Sequence, residues 1–278
     1  MDLSALDARI HPYREDLAAA SLKGTVDAPR YAEPKRMAVA VSVADMLVSP
    51  DGKGGLGSQL RAGEAFDVYD TQDGVAWGQS VADGYVGYVD ASALKSGAEG
   101  DQRITALITT AYDAPNIKSR PLAALPHGAQ VVVLGREGAF VETLHGFVPN
   151  AHLEPSPEDP VGTAEMYLDV PYLWGGRSSF GLDCSALVQM MAESAQVACP
   201  RDSDMQQALG TEPDTLARGD LVFWKGHVGI MRDAETLLHA TEHRMRVLSE
   251  PLASATKRIA ENGGGPITAQ RRFIYSPT

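Results

Sequence analysis

The stretch from Tyr172 to Met191, YLWGGRSSFGLDCSALVQMM, decides how the C-terminal part of the chain folds. A glycine-rich segment runs into Asp183 and Cys184, and an apolar series at helical spacing follows them. An Asp directly before such a series is typical of a helix N-terminus, and the preceding glycines do not extend the helix backwards. The pattern therefore predicts that Cys184 lies in the first turn of a helix that is buried along one side.

A cysteine at this position has two interpretations. Unpaired N–H groups and the positive end of the helix dipole favour an anion, so they should lower the thiol pKa toward the attacking thiolate form. The same N–H groups could later hold a tetrahedral oxyanion. Alternatively, Cys184 is a small buried hydrophobic side chain, as free cysteines usually are. Position alone leaves both interpretations open, so the partners of Cys184 must decide.

Two histidines are the candidate partners. The run HVGIM begins at His227, the run TLLHA contains His239, and a polar turn separates the two predicted strands. In an antiparallel hairpin centred on Asp233, these histidines are direct cross-strand neighbours on one face, with Cβ atoms about 5 Å apart. The pattern predicts that Cys184 is a nucleophile, that His227 is its base, and that His239 orients His227.

Other interpretations of these residues were weighed. His243 is the reserve candidate for the third position if its strand continues. A single histidine among apolar neighbours is more often a satisfied core or surface residue than a catalytic one. Two histidines and a cysteine could hold zinc, but no CxxC or HxxxH spacing accompanies them. We therefore expect no metal and no cofactor.

Composition excludes several classes of function. The chain has 278 residues, a net charge of −12 and no Lys/Arg cluster, which argues against a nucleic-acid partner. The longest mostly apolar run, residues 37–48, is too short to span a bilayer, so no membrane partner is expected. The N-terminus MDLSALDARIHPYRED does not resemble a secretion signal, which favours a cytoplasmic protein. The two cysteines, Cys184 and Cys199, cannot form a disulfide framework.

The N-terminal half is predicted to be rich in β-strands. Residues 1–33 form a weakly amphipathic lead whose apolar residues fit a helical stripe or a frayed terminus, although Pro12 argues against one continuous helix. These apolar residues are Leu3, Leu6, Ile10, Tyr13 and Leu17. From Met37 onward, short alternating runs are closed by Gly or Asp, as in a small all-β barrel or sandwich.

An internal repeat divides this β-rich part. RAGEAFDVYDTQDGVAWGQSVADGYVGYVDASAL is echoed by PHGAQVVVLGREGAFVETLHGFVPNAHL. The matched pairs are Gly63 with Gly128, Gly87 with Gly146, and Leu94 with Leu153. The match predicts two duplicated small domains, residues 34–98 and 99–153. Their aromatic residues are expected to be mostly core: Trp77, Tyr85, Tyr88 and Phe147.

A Pro-rich, acidic segment at residues 154–160 is predicted to be a linker, and residues 161–278 form the candidate catalytic domain. In that domain the sequence predicts a short helix from about Gly162 and another helix within PRDSDMQQALG. Strands are predicted in GDLVFW, HVGIM and TLLHA.

The ordered motifs YLWGG, DCSALVQ, PRDS, GDLVFW, HVGIM and LLHA resemble those of the NlpC-type cell-wall cysteine peptidases. The resemblance covers about residues 171–240, and the two repeats resemble the bacterial SH3-like domains that often accompany such enzymes. It implies an α+β protein, in which two small all-β SH3-like barrels precede a papain-like cysteine peptidase domain. Family members cut after D-glutamate in peptidoglycan stem peptides.

The resemblance also implies roles for individual residues. Cys184 matches the family nucleophile, His227 the base and His239 the third catalytic residue. Tyr172 matches a family tyrosine whose hydroxyl lies near the oxyanion, and its alternative role is that of a core aromatic residue.

Three further residues are implied in substrate binding. In relatives that have paired SH3-like domains, the residue matching Asp183 binds the free α-amine of an N-terminal L-alanine. The serines matching Ser185 and Ser203 help to hold the glutamyl part. Their alternatives are an N-cap role for Asp183 and helix-start polar roles for the serines. Many relatives have glycine where Ala186 stands, a departure that a helix turn should tolerate.

The expected activity is hydrolysis of the bond between γ-D-glutamate and meso-diaminopimelate or L-lysine. The expected substrate is a peptide L-Ala-γ-D-Glu-diamino acid with a free amine, taken from released cell wall during recycling. A first barrel packed over the active site could exclude longer chains. Two rivals stay open: a cysteine amidase or acyltransferase with the same Cys–His pair, and a non-catalytic module that binds cell wall through its SH3-like domains.

Overall fold

The computed structural model describes residues 6–97, 100–154 and 159–272. The chain divides into two compact units, unit 1 at residues 1–154 and unit 2 at residues 155–278. Of the predicted linker 154–160, residues 155–158 lie outside the described residues, as does Leu3 of the lead. None of the helices in the described part combines the length and apolar character that a bilayer span requires.

The lead forms strands where its apolar spacing allowed a helix. The elements are β1 (Tyr13–Arg14), β2 (Leu17–Ala19), a 3₁₀ turn (Ala20–Leu22) and β3 (Tyr31–Ala32), with the strands in the order β1-β2-β3. The helical-stripe alternative is therefore not found among the described residues, and Pro12 directly before β1 lacks the N–H that a helix interior needs. The lead packs on the following sheet, since the Arg14 guanidinium lies 4.7 Å above the Trp77 ring.

Seven short strands follow, in the order β10-β4-β7-β8-β9-β5-β6. They are β4 (Lys35–Val39), β5 (Val43–Leu47), β6 (Leu56–Arg61), β7 (Ala65–Gln72), β8 (Val75–Ser80), β9 (Val86–Asp90) and β10 (Leu94–Lys95). Alternate residues such as Phe66 and Val68 point into one core, as the period of two predicts. Among the described residues β10 and β6 remain unpaired edges, so the predicted closed barrel is wrong.

The second part of unit 1 is also an open sheet, with the order β13-β12-β17-β16-β15 and a separate pair β11-β14. The strands are β11 (Gln102–Arg103), β12 (Ile108–Tyr112), β13 (Pro121–Pro126), β14 (Gln130–Val131), β15 (Val133–Glu137), β16 (Phe140–Thr143) and β17 (Gly146–Pro149). Two matched positions of the repeat share local structure. Gly63 and Gly128 have φ of 74° and 78°, and Leu94 and Leu153 each follow a 3₁₀ turn. The number of SH3-like domains stays a prediction.

A buried ion pair lies where the two parts of unit 1 meet. Arg61 and Glu64 are fully buried, with 2.6 Å between Nη2 and Oε1. Arg61 also donates to the carbonyl of His127, and the Gln130 N–H donates to the carbonyl of Ala62. Of the aromatic residues predicted as core, Trp77 and Tyr85 are buried, whereas Tyr88 and Phe147 are partly exposed.

The described part of unit 2 combines four helices with a five-stranded antiparallel sheet of order β23-β22-β21-β20-β24 and a short pair β18-β19. The helices are α1 (Pro160–Glu165), α2 (Cys184–Ser194), α3 (Ser203–Gln206) and α4 (Leu252–Glu261). The strands are β18 (Arg177–Ser178), β19 (Gly181–Leu182), β20 (Leu221–Trp224), β21 (His227–Met231), β22 (Thr236–Thr241), β23 (Arg246–Pro251) and β24 (Ala269–Arg271). The three predicted helices and three predicted strands are confirmed, while β23, α4 and β24 were not predicted.

The pairing register of the β21–β22 hairpin is shifted by two residues from the prediction. Ile230 pairs with Leu238 and Met231 with Leu237, so the hairpin is centred on Ala234 and not on Asp233. His227 and His239 are therefore diagonal neighbours rather than direct partners. Diagonal residues still share a face, and long side chains span their separation of about 7–8 Å.

This register places several polar residues on the face of the sheet that α4 covers. Trp224 pairs with His227, and Leu237 pairs with Glu250. Because paired and alternate residues share a face, His227, His239 and Glu250 all lie on the same side. Apolar residues of α4 pack on that side against Trp224, Met231 and Leu237. Polar side chains of three adjacent strands thus lie together on this face of the sheet.

Candidate active site

Cys184 is the first residue of α2, as the sequence predicts. The Asp183 side chain caps the helix by accepting from the Ala186 N–H at 2.9 Å. The Cys184 side chain is 6% exposed, and its thiol is contacted by the backbone N–H of Val228, which directly follows His227. The helix start and the start of β21 therefore meet at the sulfur atom.

The turn before β21 fixes where His227 begins its strand. Two residues, Lys225 and Gly226, connect β20 to β21, and Gly226 has a φ of 73°. This left-handed conformation costs glycine little and suits a tight hairpin. The short turn positions His227 opposite Trp224, whose ring centroid lies 5.8 Å from the imidazole centroid.

The two predicted histidines are in direct contact. His227 Nε2 lies 2.8 Å from His239 Nδ1, and the rings meet edge to face. His239 is fully buried, and its Nε2 lies 2.9 Å from Oε1 of Glu250. Arg258 of α4 donates to the same carboxylate at 2.6 Å. A continuous chain of hydrogen bonds therefore runs from His227 to Arg258.

The electrostatics of His227 follow from its surroundings. Burial, followed by the charges of the nearby His239 and Arg258, lowers the pKa of His227 to about 3, although Glu250 acts in the opposite direction. The hydrogen bonds from His239 and Arg258 hold the Glu250 pKa at about 2 against the effect of burial. At neutral pH, His227 is thus a neutral imidazole and Glu250 is a carboxylate.

The pKa of the Cys184 thiol is raised, whereas its position at a helix start predicted a lowered pKa. Burial and then the Asp183 carboxylate raise the pKa of Cys184 to about 12, although N–H groups of Val228 and Ser185 and the Arg201 charge act the other way. The expectation of a lowered pKa is therefore wrong, because desolvation of the anion outweighs the helix terminus. The resting residue is a thiol that must lose its proton to a base.

Asp183 lies at the centre of a buried ionic cluster. Its side chain accepts two hydrogen bonds from Arg201, at 2.9 and 2.6 Å, and Arg201 is 1% exposed. The N–H of Gly175 and the hydroxyl of Ser185 donate to it as well, at 3.0 and 3.1 Å. Both carboxylate oxygens are thus occupied within the protein, and the N-cap alternative for Asp183 is confirmed.

The two predicted serines differ in surroundings. Ser185 is buried, and its hydroxyl also accepts from Arg201 at 2.9 Å. Ser203 begins α3 and is partly exposed. In the described residues, no hydrogen bond joins the Ser203 side chain to the other predicted site residues. Gln206 links α3 to the site, since its side chain donates to the Ser185 carbonyl at 3.0 Å.

An open cleft of about 180 Å³ lies over His227. Its lining residues include Tyr172, Trp174, Lys225, Thr241, Glu242, His243 and Arg258. The pKa of Tyr172 is raised by burial and by the neighbouring Cys184 and Asp183, so its hydroxyl keeps its proton. His243 is exposed in the turn after β22 ends at Thr241, so the strand does not continue to it as its reserve role would require.

The sequence prediction missed three residues that belong to the hydrogen-bond networks of the site: Arg201, Glu250 and Arg258. Arg201 belongs to the quoted PRDS motif, and a buried arginine there is a signal for a carboxylate partner. Among the described residues, no group of three or more His, Cys, Asp or Glu side chains is arranged to hold a metal ion.

A buried helix-start cysteine beside two adjacent strands, each of which carries one histidine of a hydrogen-bonded pair, is the arrangement of a cysteine-type peptidase domain. The NlpC/P60 family matches residues 169–260, which include all of these residues. "Probable endopeptidase NlpC" of Escherichia coli is 33% identical over 106 residues, covering 34% of this chain and 69% of that protein. The chain belongs to the NlpC/P60 family.

The chain is also similar to a second family in its N-terminal half and to a further named relative. The family described as "Bacterial dipeptidyl-peptidase Sh3 domain" matches residues 46–94. A γ-D-glutamyl-L-lysine dipeptidyl-peptidase of Bacillus cereus is 33% identical over 102 residues, which cover 36% of this chain. The match spans only 29% of the length of that relative.

The fold is similar to that of a solved protein as well. The crystal structure of an NlpC/P60 family protein from Bacillus cereus superposes with a TM-score of 0.72 at 20% identity. The superposition covers 87% of this chain and 100% of the other. This similarity concerns the fold.

Proposed function

We propose that the protein hydrolyses the amide bond between γ-D-glutamate and the diamino acid of peptidoglycan-derived peptides. The observation that carries the proposal is the 2.8 Å contact between His227 and His239 beside the thiol of a helix-start cysteine. The relative named a γ-D-glutamyl-L-lysine dipeptidyl-peptidase supports the choice of bond. The diamino acid is meso-diaminopimelate or L-lysine, as the sequence resemblance implies.

In the proposed reaction, His227 acts as a general base toward a neutral thiol. His227 Nε2 is engaged by His239, so its Nδ1 is the nitrogen that accepts the proton of Cys184. The thiolate forms as the sulfur attacks the γ-carbonyl carbon, and a tetrahedral oxyanion results. The imidazolium then gives its proton to the leaving amine of the diamino acid, and a thioester to the glutamyl group remains. Water, deprotonated by His227, hydrolyses the thioester.

The oxyanion has two candidate donors. A first-turn N–H such as that of Cys184 has no acceptor within its own helix, so it is available to the developing charge. The Tyr172 hydroxyl lies in the same cleft and keeps its proton because its pKa is raised. We assign Tyr172 as an oxyanion donor, in agreement with the role that the sequence resemblance implies.

The proposal includes a requirement for a free N-terminal L-alanine, which suits recycling of released wall peptides. Its α-amine needs a carboxylate near the cleft, and the resemblance assigns Asp183. Asp183 is already paired with Arg201, so the amine would have to share a satisfied carboxylate. Glu242 is an exposed carboxylate that lines the cleft itself. Ser185 and Ser203 keep their proposed roles near the glutamyl part.

The first test compares two substrates by mass spectrometry. We expect L-Ala-γ-D-Glu-L-Lys to be cleaved into L-Ala-D-Glu and lysine, and its N-acetylmuramyl form to be cleaved at least about 100-fold more slowly. The reason is that the capped peptide lacks the cation that the carboxylate would bind, and a hydrogen bond to a charged group typically contributes about 1.5–3 kcal/mol.

The matched control is the α-linked peptide L-Ala-D-Glu-L-Lys, which has the same composition and charge. Equal turnover of capped and free peptides would refute the amine requirement and leave the choice of bond intact. Cleavage of the α-linked peptide at the same rate would refute the γ-glutamyl assignment. Transfer of the glutamyl group to an added amine, with no hydrolysis, would favour the acyltransferase rival.

A second prediction concerns pH. A base must be neutral to accept a proton, and the lowered pKa of His227 keeps it neutral well below pH 6.5. We therefore expect kcat/KM to change little from about pH 7 to about pH 5, whereas an ordinary histidine would lose about 30-fold over the same range. Circular dichroism at each pH controls for unfolding. A tenfold fall per pH unit starting near pH 6.5 would contradict the burial of this imidazole.

A further inference from the structure

We propose that Glu250 and Arg258 are positioning residues that set the tautomers of both histidines and thereby leave His227 Nδ1 free to accept the thiol proton. The proposal rests on the thiol–imidazole reaction given above. It extends the site by two residues that touch neither Cys184 nor the cleft-facing nitrogen of His227. The carboxylate lies on β23, two strands away from His227 in the same sheet.

The tautomer argument starts at the carboxylate. Glu250 can only accept hydrogen bonds in its ionised form, so the contact at 2.9 Å requires a proton on His239 Nε2. A neutral His239 then carries a lone pair on Nδ1, which accepts from a proton on His227 Nε2. A neutral His227 with its proton on Nε2 has its lone pair on Nδ1. The position of the proton on His239 thus fixes the position of the proton on His227.

Arg258 fixes which atom of the carboxylate faces His239. Two of its nitrogens donate to Glu250, Nη1 to Oε2 at 2.6 Å and Nη2 to Oε1. Oε1 therefore receives hydrogen bonds from both His239 and Arg258, and Oε2 receives one from Arg258. The carboxylate is partly buried, with 17% of its side chain exposed, so water competes little for these positions.

A glutamine at position 250 cannot reproduce this arrangement while Arg258 is present. Arg258 donates to both oxygen positions, so in either orientation of the glutamine the amide NH₂ faces an Arg258 nitrogen. In one of the two orientations the NH₂ also faces His239. His239 must then accept at Nε2 and carry its proton on Nδ1. That proton donates to His227 Nε2, which places a proton on His227 Nδ1, the nitrogen that should accept from the thiol.

The test uses Glu250→Gln, Arg258→Met and the double variant in a Cys199→Ser background. We expect Glu250→Gln to lower kcat by about 10- to 100-fold with little change in KM, since an outer partner orients the base without touching substrate. Arg258→Met removes the competing donors, so the double variant should regain at least about threefold over Glu250→Gln alone. Long-range ¹H–¹⁵N NMR should show the His239 proton on Nε2 in the parent and on Nδ1 in Glu250→Gln.

Two controls separate this inference from the proposed function. Glu261→Gln is an exposed change on α4, the helix that carries Arg258. It should leave kcat and the NMR spectrum as in the parent. The rate of Cys184 alkylation by iodoacetamide needs no peptide, and it should fall in Glu250→Gln and recover in the double variant. If the parent cleaves no stem peptide, the proposed function fails, but this alkylation pattern would still support the control of the histidine tautomers by Glu250 and Arg258. The proposed control of the tautomers by Glu250 and Arg258 would be overturned if a folded Glu250→Gln protein kept the His239 tautomer, the alkylation rate and the kcat of the parent. It would also be overturned if the double variant had a kcat no higher than that of Glu250→Gln.

Discussion

Replacing Cys184 by serine should abolish hydrolysis of L-Ala-γ-D-Glu-L-Lys, with a fall in kcat of roughly 10⁴-fold or more. The hydroxyl is a poorer acid than the thiol, and the base that must take its proton is a partly buried imidazole of lowered pKa. The substitution removes one polarisable atom and leaves the helix start intact, so binding should persist. The measurement is product formation by mass spectrometry, with substrate affinity from calorimetry.

The matched control for this prediction is Cys199→Ser. Cys199 follows α2 and is partly exposed, and its sulfur contacts the carbonyl of Pro200. Its replacement should change kcat by less than about twofold, as for a surface substitution away from the site. Activity of Cys184→Ser within tenfold of the parent would show that another group attacks the substrate. Peptide binding without turnover in the parent itself would favour the rival binding-module function.

Parts of the site could be predicted because their signals are local. Asp183, Cys184 and the apolar series after them lie within a dozen residues, and an N-cap acts within one helical turn. The strands that carry His227 and His239 are likewise short runs with a turn between them. Such features need no knowledge of distant partners, and the structure confirms each of them.

The missed and mistaken features depend on long-range packing. The observed pairing centres the hairpin on Ala234 rather than on Asp233, and register depends on which residues of the two strands are buried together. Glu250 reaches His239 only through pairing of β22 with β23, and Arg258 only because α4 folds back over that face. The direction of the Cys184 pKa shift depends on burial, which the sequence of the helix start does not determine.

The largest expected effect on stability comes from Arg201→Met. Arg201 is buried and donates to both oxygens of Asp183, to the hydroxyl of Ser185 and to the carbonyl of Gly176. Methionine fills a similar volume but leaves the Asp183 carboxylate without its cation. Breaking a buried ion pair in this way typically costs about 3–5 kcal/mol of unfolding free energy. Urea unfolding of unit 2, followed by tryptophan fluorescence, measures the loss.

Two comparisons distinguish the effect of losing the Arg201–Asp183 ion pair from the effect of losing the packing of the Arg201 side chain. Arg246→Met removes an exposed ion pair with Asp169 in the same unit, and it should cost less than about 1 kcal/mol. In the double variant Arg201→Met/Asp183→Asn no unpaired charge remains, and the asparagine can still cap α2. If the cost comes from an uncompensated carboxylate, the double variant must be more stable than Arg201→Met alone. A double variant that is less stable would instead mean that Arg201 acts through packing and its contacts to Ser185 and Gly176. The same series reports on catalysis, because Arg201 opposes the rise in the Cys184 pKa and its loss should slow alkylation of the thiol.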